Sequence, residues 1–178
     1  MLLVYGGLGL YPGGVVQASE GADYLIGGDV AETIYGNGDD ILIGGAGDDT
    51  LRGGAGRATL SYAGAAHAVD VELLFRMASG EGFDRLSGFE NVVGSRYDDL
   101  LRGDTGDNRL TGGAGNDYLD GSDGRDTAVY YGAPNSVTVD LAAGVADGGD
   151  GQDRLVNIES VMAPATATCC VATVAPTG

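Results

Sequence analysis

The chain has 178 residues, of which 34 are Gly and four are Pro, and it sets 26 acidic side chains against nine basic ones, all Arg. A net charge of −17 argues against nucleic acid or an anionic membrane surface as partner, because both demand basic patches. With no Trp and only 12 aromatic residues a large aromatic core is excluded, no apolar run reaches the length of a membrane span, and so acidic a chain needs a counter-charge to collapse, for which a hard divalent cation is the natural choice.

Residues 1–17 are mildly apolar but carry no basic residue, and Gly6, Gly7, Gly9, Pro12 and Gly13 interrupt them. This reads as an irregular edge rather than a signal peptide. From residue 18 a nine-residue repeat sets in. Gly44-Gly45-Ala46-Gly47-Asp48-Asp49-Thr50-Leu51-Arg52 fits G-G-x-G-x-D-x-U-x, with U a large apolar residue. Looser copies start at Ala18, Gly27, Gly36 (one residue short) and Gly53, so the first block spans 18–61. Its U positions are Leu25, Ile34, Leu42, Leu51 and Leu60, and its sixth positions are Asp23, Glu32, Asp40, Asp49 and Ala58. Residues 62–93 follow as a strand-rich insert, where Val69-Asp70-Val71-Glu72-Leu73 alternates as a β-strand does.

The second block, 94–129, has copies starting at Gly94, Gly103, Gly112 and Gly121, with Gly112 to Asp120 fitting the pattern fully. Here the U positions are Leu101, Leu110, Leu119 and Ala128, and the sixth positions are Asp99, Asn108, Asp117 and Asp126. A second insert occupies 130–161. A longer period of about 68 residues relates the two halves: Val69–Leu73 matches Val137–Leu141, Asp84-Arg85-Leu86 matches Asp153-Arg154-Leu155, and Phe89-Glu90-Asn91-Val92 matches Ile158-Glu159-Ser160-Val161. After Val161 the match stops. Rebuilding each codon from the last base of the one before restores it: 13 of the 16 residues from Ala163 to Gly178 permit the residue found 69 positions earlier. Residues 162–178 are therefore expected to be an unstructured tail produced by a frameshift. Cys169 and Cys170 are adjacent and have nothing else to pair with.

Six residues of each nonapeptide form a turn and three a short strand. Gly permits positive φ and lets carbonyls approach an ion, and the Asp closing the turn supplies a carboxylate. Calcium takes six to eight oxygens, more than one turn can offer, so two stacked turns must share it. A flexible acidic linker would have no reason to keep an apolar residue at every ninth position.

These motifs resemble the RTX family of hemolysin-type calcium-binding repeats over about residues 18–161. The resemblance implies an all-β fold, a right-handed parallel β-roll (solenoid) with strand-rich inserts. It also implies Ca²⁺ as the bound cofactor and export from a bacterium, hence a secreted, extracellular location. Carried over by position, the implied ligands are Asp23 with Asp40, Glu32 with Asp49, Asp99 with Asp117, and Asn108 with Asp126. The turn glycines Gly45, Gly47, Gly113, Gly115 and Gly124 belong to the same sites, which number about four ions. Three departures weaken the pattern: Ala58 has no ligand oxygen, Val30 replaces a turn glycine, and Glu32 is long enough to displace its oxygen. The implied role is a calcium-dependent folding module, non-catalytic by itself. The alternatives are an accessory C-terminal module of an exported hydrolase or polysaccharide-modifying enzyme, or an adhesin segment. The expected partners are calcium ions, a covalent parent protein outside this chain, and further copies through an uncapped roll end. His67, the one histidine, is expected to be a surface or packing residue. Tyr62, Tyr130 and Tyr131 are expected to cover the roll's end.

Overall fold

A computed structural model describes residues 3–5, 14–149, 151–163 and 168–170. Each nonapeptide contributes one strand of three or four residues whose centre is the U position, as in Thr50-Leu51-Arg52. With one inward residue per strand, a repeat cannot bury its apolar side chain alone; stacking on its neighbours closes the core. Successive strands alternate between two sheets that face each other across that core.

The first sheet has eight strands, β1 (Leu3–Tyr5), β3 (Tyr24–Ile26), β5 (Ile41–Ile43), β7 (Thr59–Ser61), β11 (Asn91–Val93), β13 (Arg109–Thr111), β15 (Thr127–Val129) and β19 (Ser160–Met162). All pair in parallel and in this order. The second has 12 strands. It begins with β2 (Gly14–Gln17), β4 (Glu32–Tyr35) and β6 (Thr50–Arg52), then β10 (Phe83–Ser87), β9 (Met77–Ser79) and β8 (Asp70–Glu72). It continues through β12 (Leu100–Arg102), β14 (Tyr118–Asp120), β18 (Gly151–Val156), β17 (Val145–Gly148), β16 (Val137–Asp140) and β20 (Thr168–Cys170). This is a parallel β-roll, as the resemblance implies. The surplus over the first sheet comes from the inserts. Each replaces a single strand by an antiparallel meander, β8–β9–β10 or β16–β17–β18.

The U residues form two apolar ladders. Leu25, Leu42, Leu60, Val92, Leu110 and Ala128 are successive register partners on one side. Ile34, Leu51 and Leu86, then Val71, Leu101, Leu119 and Leu155, are partners on the other. Every U position read from the sequence is 0% exposed. Burying a Leu or Ile side chain is worth about 1.5–3 kcal/mol, so these ladders are the main apolar contribution to the fold.

The structure departs from the sequence reading at both ends. Leu3–Tyr5 and Gly14–Gln17, expected to be irregular, extend the two sheets, and Val16 is buried opposite Ile34. Met162 and Thr168–Cys170, expected to lack structure, lie in strands. Cys169 is the register partner of Val139, the place that Leu101 takes against Val71 one super-repeat earlier, so the open edge of β16 is paired. Residues 164–167 and 171–178 of the expected tail lie outside the described residues.

Candidate metal centre

The sixth-position side chains are buried between the turns and the apolar ladders. In each of the four pairs expected from the sequence, the backbone N–H of one sixth residue donates to the side-chain carboxylate of the residue one coil later. Asp23 N–H reaches Asp40 Oδ1, Glu32 reaches Asp49, Asp99 reaches Asp117 and Asn108 reaches Asp126, each at 2.8 Å. The coil is 17 residues long in the two pairs that span the short repeat at Gly36 and 18 in the two pairs of the second block.

The other oxygen folds back onto its own turn. Asn37 N–H donates to Asp40 Oδ2 at 2.6 Å, Ser19 N–H to Asp23 Oδ2 at 3.1 Å, and Asp104 N–H to Asn108 Oδ1 at 2.8 Å. Glu32 behaves the same way, accepting from Gly28 N–H at 2.9 Å while only 5% exposed. Its Oε2 thus accepts from its own turn as Oδ2 does in Asp23 and Asp40. Three acids break the pattern: the Oδ2 atoms of Asp49, Asp117 and Asp126 are buried with no hydrogen-bond partner. A buried carboxylate oxygen left in that state is costly.

The turn glycines are required by contact as well as by φ. Gly45, Gly47, Gly113, Gly115 and Gly124 all have φ between 90° and 130°. A Cβ on Gly45 would lie 2.2 Å from the Gly28 carbonyl oxygen, and one on Gly113 2.0 Å from that of Ser95. Backbone therefore stacks directly on backbone, which brings carbonyl oxygens of successive turns close together.

Burial pushes the Asp49 and Asp117 carboxyls up to about 7 and Asp126 to about 6, and acidic neighbours add to the effect. Asp99 is also raised by burial. The turns thus hold carboxylates that are harder to ionise than usual, and on Asp49, Asp117 and Asp126 one oxygen of each has no donor. A cation would satisfy both deficits. Among the described residues no three His, Cys, Asp or Glu side chains converge as a ready cage. An ion here must draw on carboxylates from adjacent turns and on backbone carbonyls together. An all-oxygen set of that kind suits calcium and disfavours zinc.

Sequence reasoning missed four acids of the same ladder. Asp49 N–H donates to Asp84 Oδ1 and Asp117 N–H to Asp153 Oδ1, both at 3.0 Å. Ala58 N–H donates to Glu90 Oε2 at 2.9 Å and Asp126 N–H to Glu159 Oε2 at 2.8 Å. The signal was present, since Asp84-Arg85-Leu86 and Asp153-Arg154-Leu155 keep the D-x-U spacing. Reading these segments as insert strands hid it. Tyr62 and Tyr130 are not covers over the roll's end. Each is 4% exposed and donates its hydroxyl to an insert acid, Tyr62 to Asp84 at 2.6 Å and Tyr130 to Asp153 at 2.7 Å. Tyr131 is 73% exposed. A cavity of about 660 Å³ lies beside the first meander, between Phe75, Met77, Ala78, Phe83 and Leu86. Asp48 and Asp84 also line it, so it borders the turn that bears the orphaned oxygen of Asp49.

The profile of the RTX calcium-binding nonapeptide repeat matches in four copies, over residues 15–38, 34–57 and 93–128. No curated protein sequence matches the chain. The matched segments contain the three carboxylate pairs, the Asn108–Asp126 pair and the three orphaned oxygens. On that evidence the chain carries RTX calcium-binding nonapeptide repeats, and calcium is the ion that such repeats bind.

Proposed function

We propose that this chain is a calcium-coupled folding module of a secreted protein, non-catalytic by itself. The observation that carries the reading is the set of orphaned Oδ2 atoms on Asp49, Asp117 and Asp126. Asp49, Asp117 and Asp126, with Asp23, Glu32, Asp40, Asp99 and Asn108 beside them and the carbonyls of the stacked turns, would hold the ions. Calcium supplies the positive charge that lets these buried carboxylates ionise without repelling one another. In its absence the charge of −17 keeps the repeats apart. Binding free energy then becomes folding free energy. Outside a cell, where calcium is plentiful, such a chain folds; inside, it stays open and fit for export.

Two observations support the non-catalytic role. His67 is exposed, and the perturbed acids other than the exposed Asp70 belong to the ladder. A parent domain or another copy would continue the stack by pairing with a terminal strand of the roll.

Small-angle scattering tests the coupling. In chelator the radius of gyration should approach about 45 Å, the scale of an unfolded chain of this length, and calcium should reduce it to roughly half or less. A compact particle in chelator would contradict the reading.

A further inference from the structure

The ladder of sixth-position side chains is neutral at Ala58 and at Asn108, and each of these stands next to an arginine, Arg57 and Arg109. Those two arginines and Arg125 line one cavity of about 210 Å³, together with Asp107, Asn108, Thr127 and Ser160. They come from β13 and from the turns entering β7 and β15, all within four neighbouring strands of the eight-stranded sheet. Arg57 and Arg125 hold the same place in the two halves of the chain, so the duplication brings both copies to one site.

In a chain with 26 acidic residues an arginine is expected to find a carboxylate. Arg102 does, pairing with Glu72, and Arg52, Arg96, Arg102 and Arg154 lie over tyrosine rings. Arg57, Arg109 and Arg125 are exposed and have neither an ion pair nor a ring contact among the described residues. The carboxylate in the cavity, that of Asp107, already accepts Arg125 N–H at 3.0 Å. Asp126, beside Arg125, is 0% exposed, accepts Asn108 N–H and does not line the cavity. The cavity therefore sets three guanidinium groups against one carboxylate.

We propose that this cavity binds a divalent oxyanion of the sulfate or phosphate class, free or carried on a polymer. A guanidinium presents planar, paired N–H donors that match two oxygens of such an ion, and the hydroxyls of Thr127 and Ser160 add neutral donors. The neutral ladder positions then have a physical reason, since a carboxylate at residue 58 or 108 would stand beside the arginines and cancel their attraction for an anion. The net charge of −17 does not forbid this, because exposed charges more than about 8 Å away are largely screened at physiological ionic strength. The cavity is smaller than the roughly 300–1,000 Å³ of sites for drug-sized ligands, which suits a single small ion.

Sodium sulfate titrated into the full chain in calcium, with ionic strength held constant by chloride, tests the site through the NMR signals of the arginine Nε–H groups. Saturable shifts should appear at Arg57, Arg109 and Arg125. Arg109→Gln/Arg125→Gln should weaken binding at least tenfold, whereas Arg52→Gln/Arg96→Gln, the same change of charge elsewhere, should leave it within twofold. Equal losses in the two variants would overturn the proposal, because the attraction would then belong to overall charge. Should the first variant fail to fold, Asn108→Asp decides: it keeps the shape of the side chain, adds a carboxylate, and should weaken sulfate binding several-fold, and an unchanged affinity contradicts the site. Dextran sulfate separates the two sources. Saturable shifts at the same three arginines with the polymer alone mean that the ligand is a polymer-borne group, and no saturable shift with either ligand overturns the proposal.

Discussion

Along the eight-stranded sheet the ladder of sixth-position side chains runs Asp23, Asp40, Ala58, Glu90, Asn108, Asp126 and Glu159. Along the 12-stranded sheet it runs Glu32, Asp49 and Asp84, breaks at the meander, and resumes at Asp99, Asp117 and Asp153. The first ladder is never interrupted in space, because β7 pairs directly with β11 and β11 with β13. It is interrupted in chemistry, at Ala58 and at the neutral Asn108. The second keeps an acid at every described step and is interrupted in space by two inserted strands. Two of the three orphaned oxygens, on Asp49 and Asp117, belong to it. The lesson is that the apolar ladder and the acidic ladder are separable. Leu60 continues the first where Ala58 drops out of the second.

That separation can be broken at several points. The largest effect should come from the apolar ladders, where the two sheets are alike: Leu42→Ala and Leu119→Ala should each cost about 2–5 kcal/mol in urea unfolding at saturating calcium. A much smaller loss in one sheet would mean its core is not closed. The acidic ladders should differ. Asp117→Asn removes a charge beside Asp99 and Asp153, and should raise the calcium midpoint of folding about tenfold, equivalent to about 1.4 kcal/mol. Asn108→Ala, on the weaker ladder, should move it less; the reverse order in calorimetric titrations would contradict the assignment. Ala58→Asp should mend the chemical break and lower the midpoint a few-fold. No gain, in the same titration, would show that the turn at Gly53 cannot seat an ion.

The smallest effect concerns pH without calcium. Asp49, Asp117 and Asp126 are raised by burial to about 7, 7 and 6 from an ordinary 3.8. The folded state therefore binds protons more tightly than the unfolded chain. The resulting stability is fully present below pH 4 and is lost as pH rises through 6–7. In chelator, circular dichroism should show more strand at pH 4 than at pH 7.5. Asp117→Asn should flatten that dependence, since an amide does not titrate.

Much of this was legible in the sequence, and for a specific reason. The nonapeptide fixes what faces inward, so Leu25 to Ala128 could be placed from spacing, and the resemblance to known repeats then implied the four sixth-position pairs. What escaped was the meander. Alternation in Val69–Leu73 is a genuine strand signal, but it does not say that β10 returns to the roll, nor that Asp84 and Asp153 then rejoin the ladder. Tyr62 escaped for the same reason: its partner lies 22 residues away across the meander. At Thr168–Cys170 the residue types give no repeat signal, yet the strand pairs in parallel with β16.

The most direct test of the central claim is far-UV circular dichroism through a calcium titration of the full chain, with magnesium as control. Shared turns and orphaned carboxylates predict a cooperative gain of strand signal with calcium alone, because magnesium sheds its water reluctantly and demands a tighter octahedral set of oxygens. A chain already rich in strand in chelator, and unmoved by calcium, would contradict it.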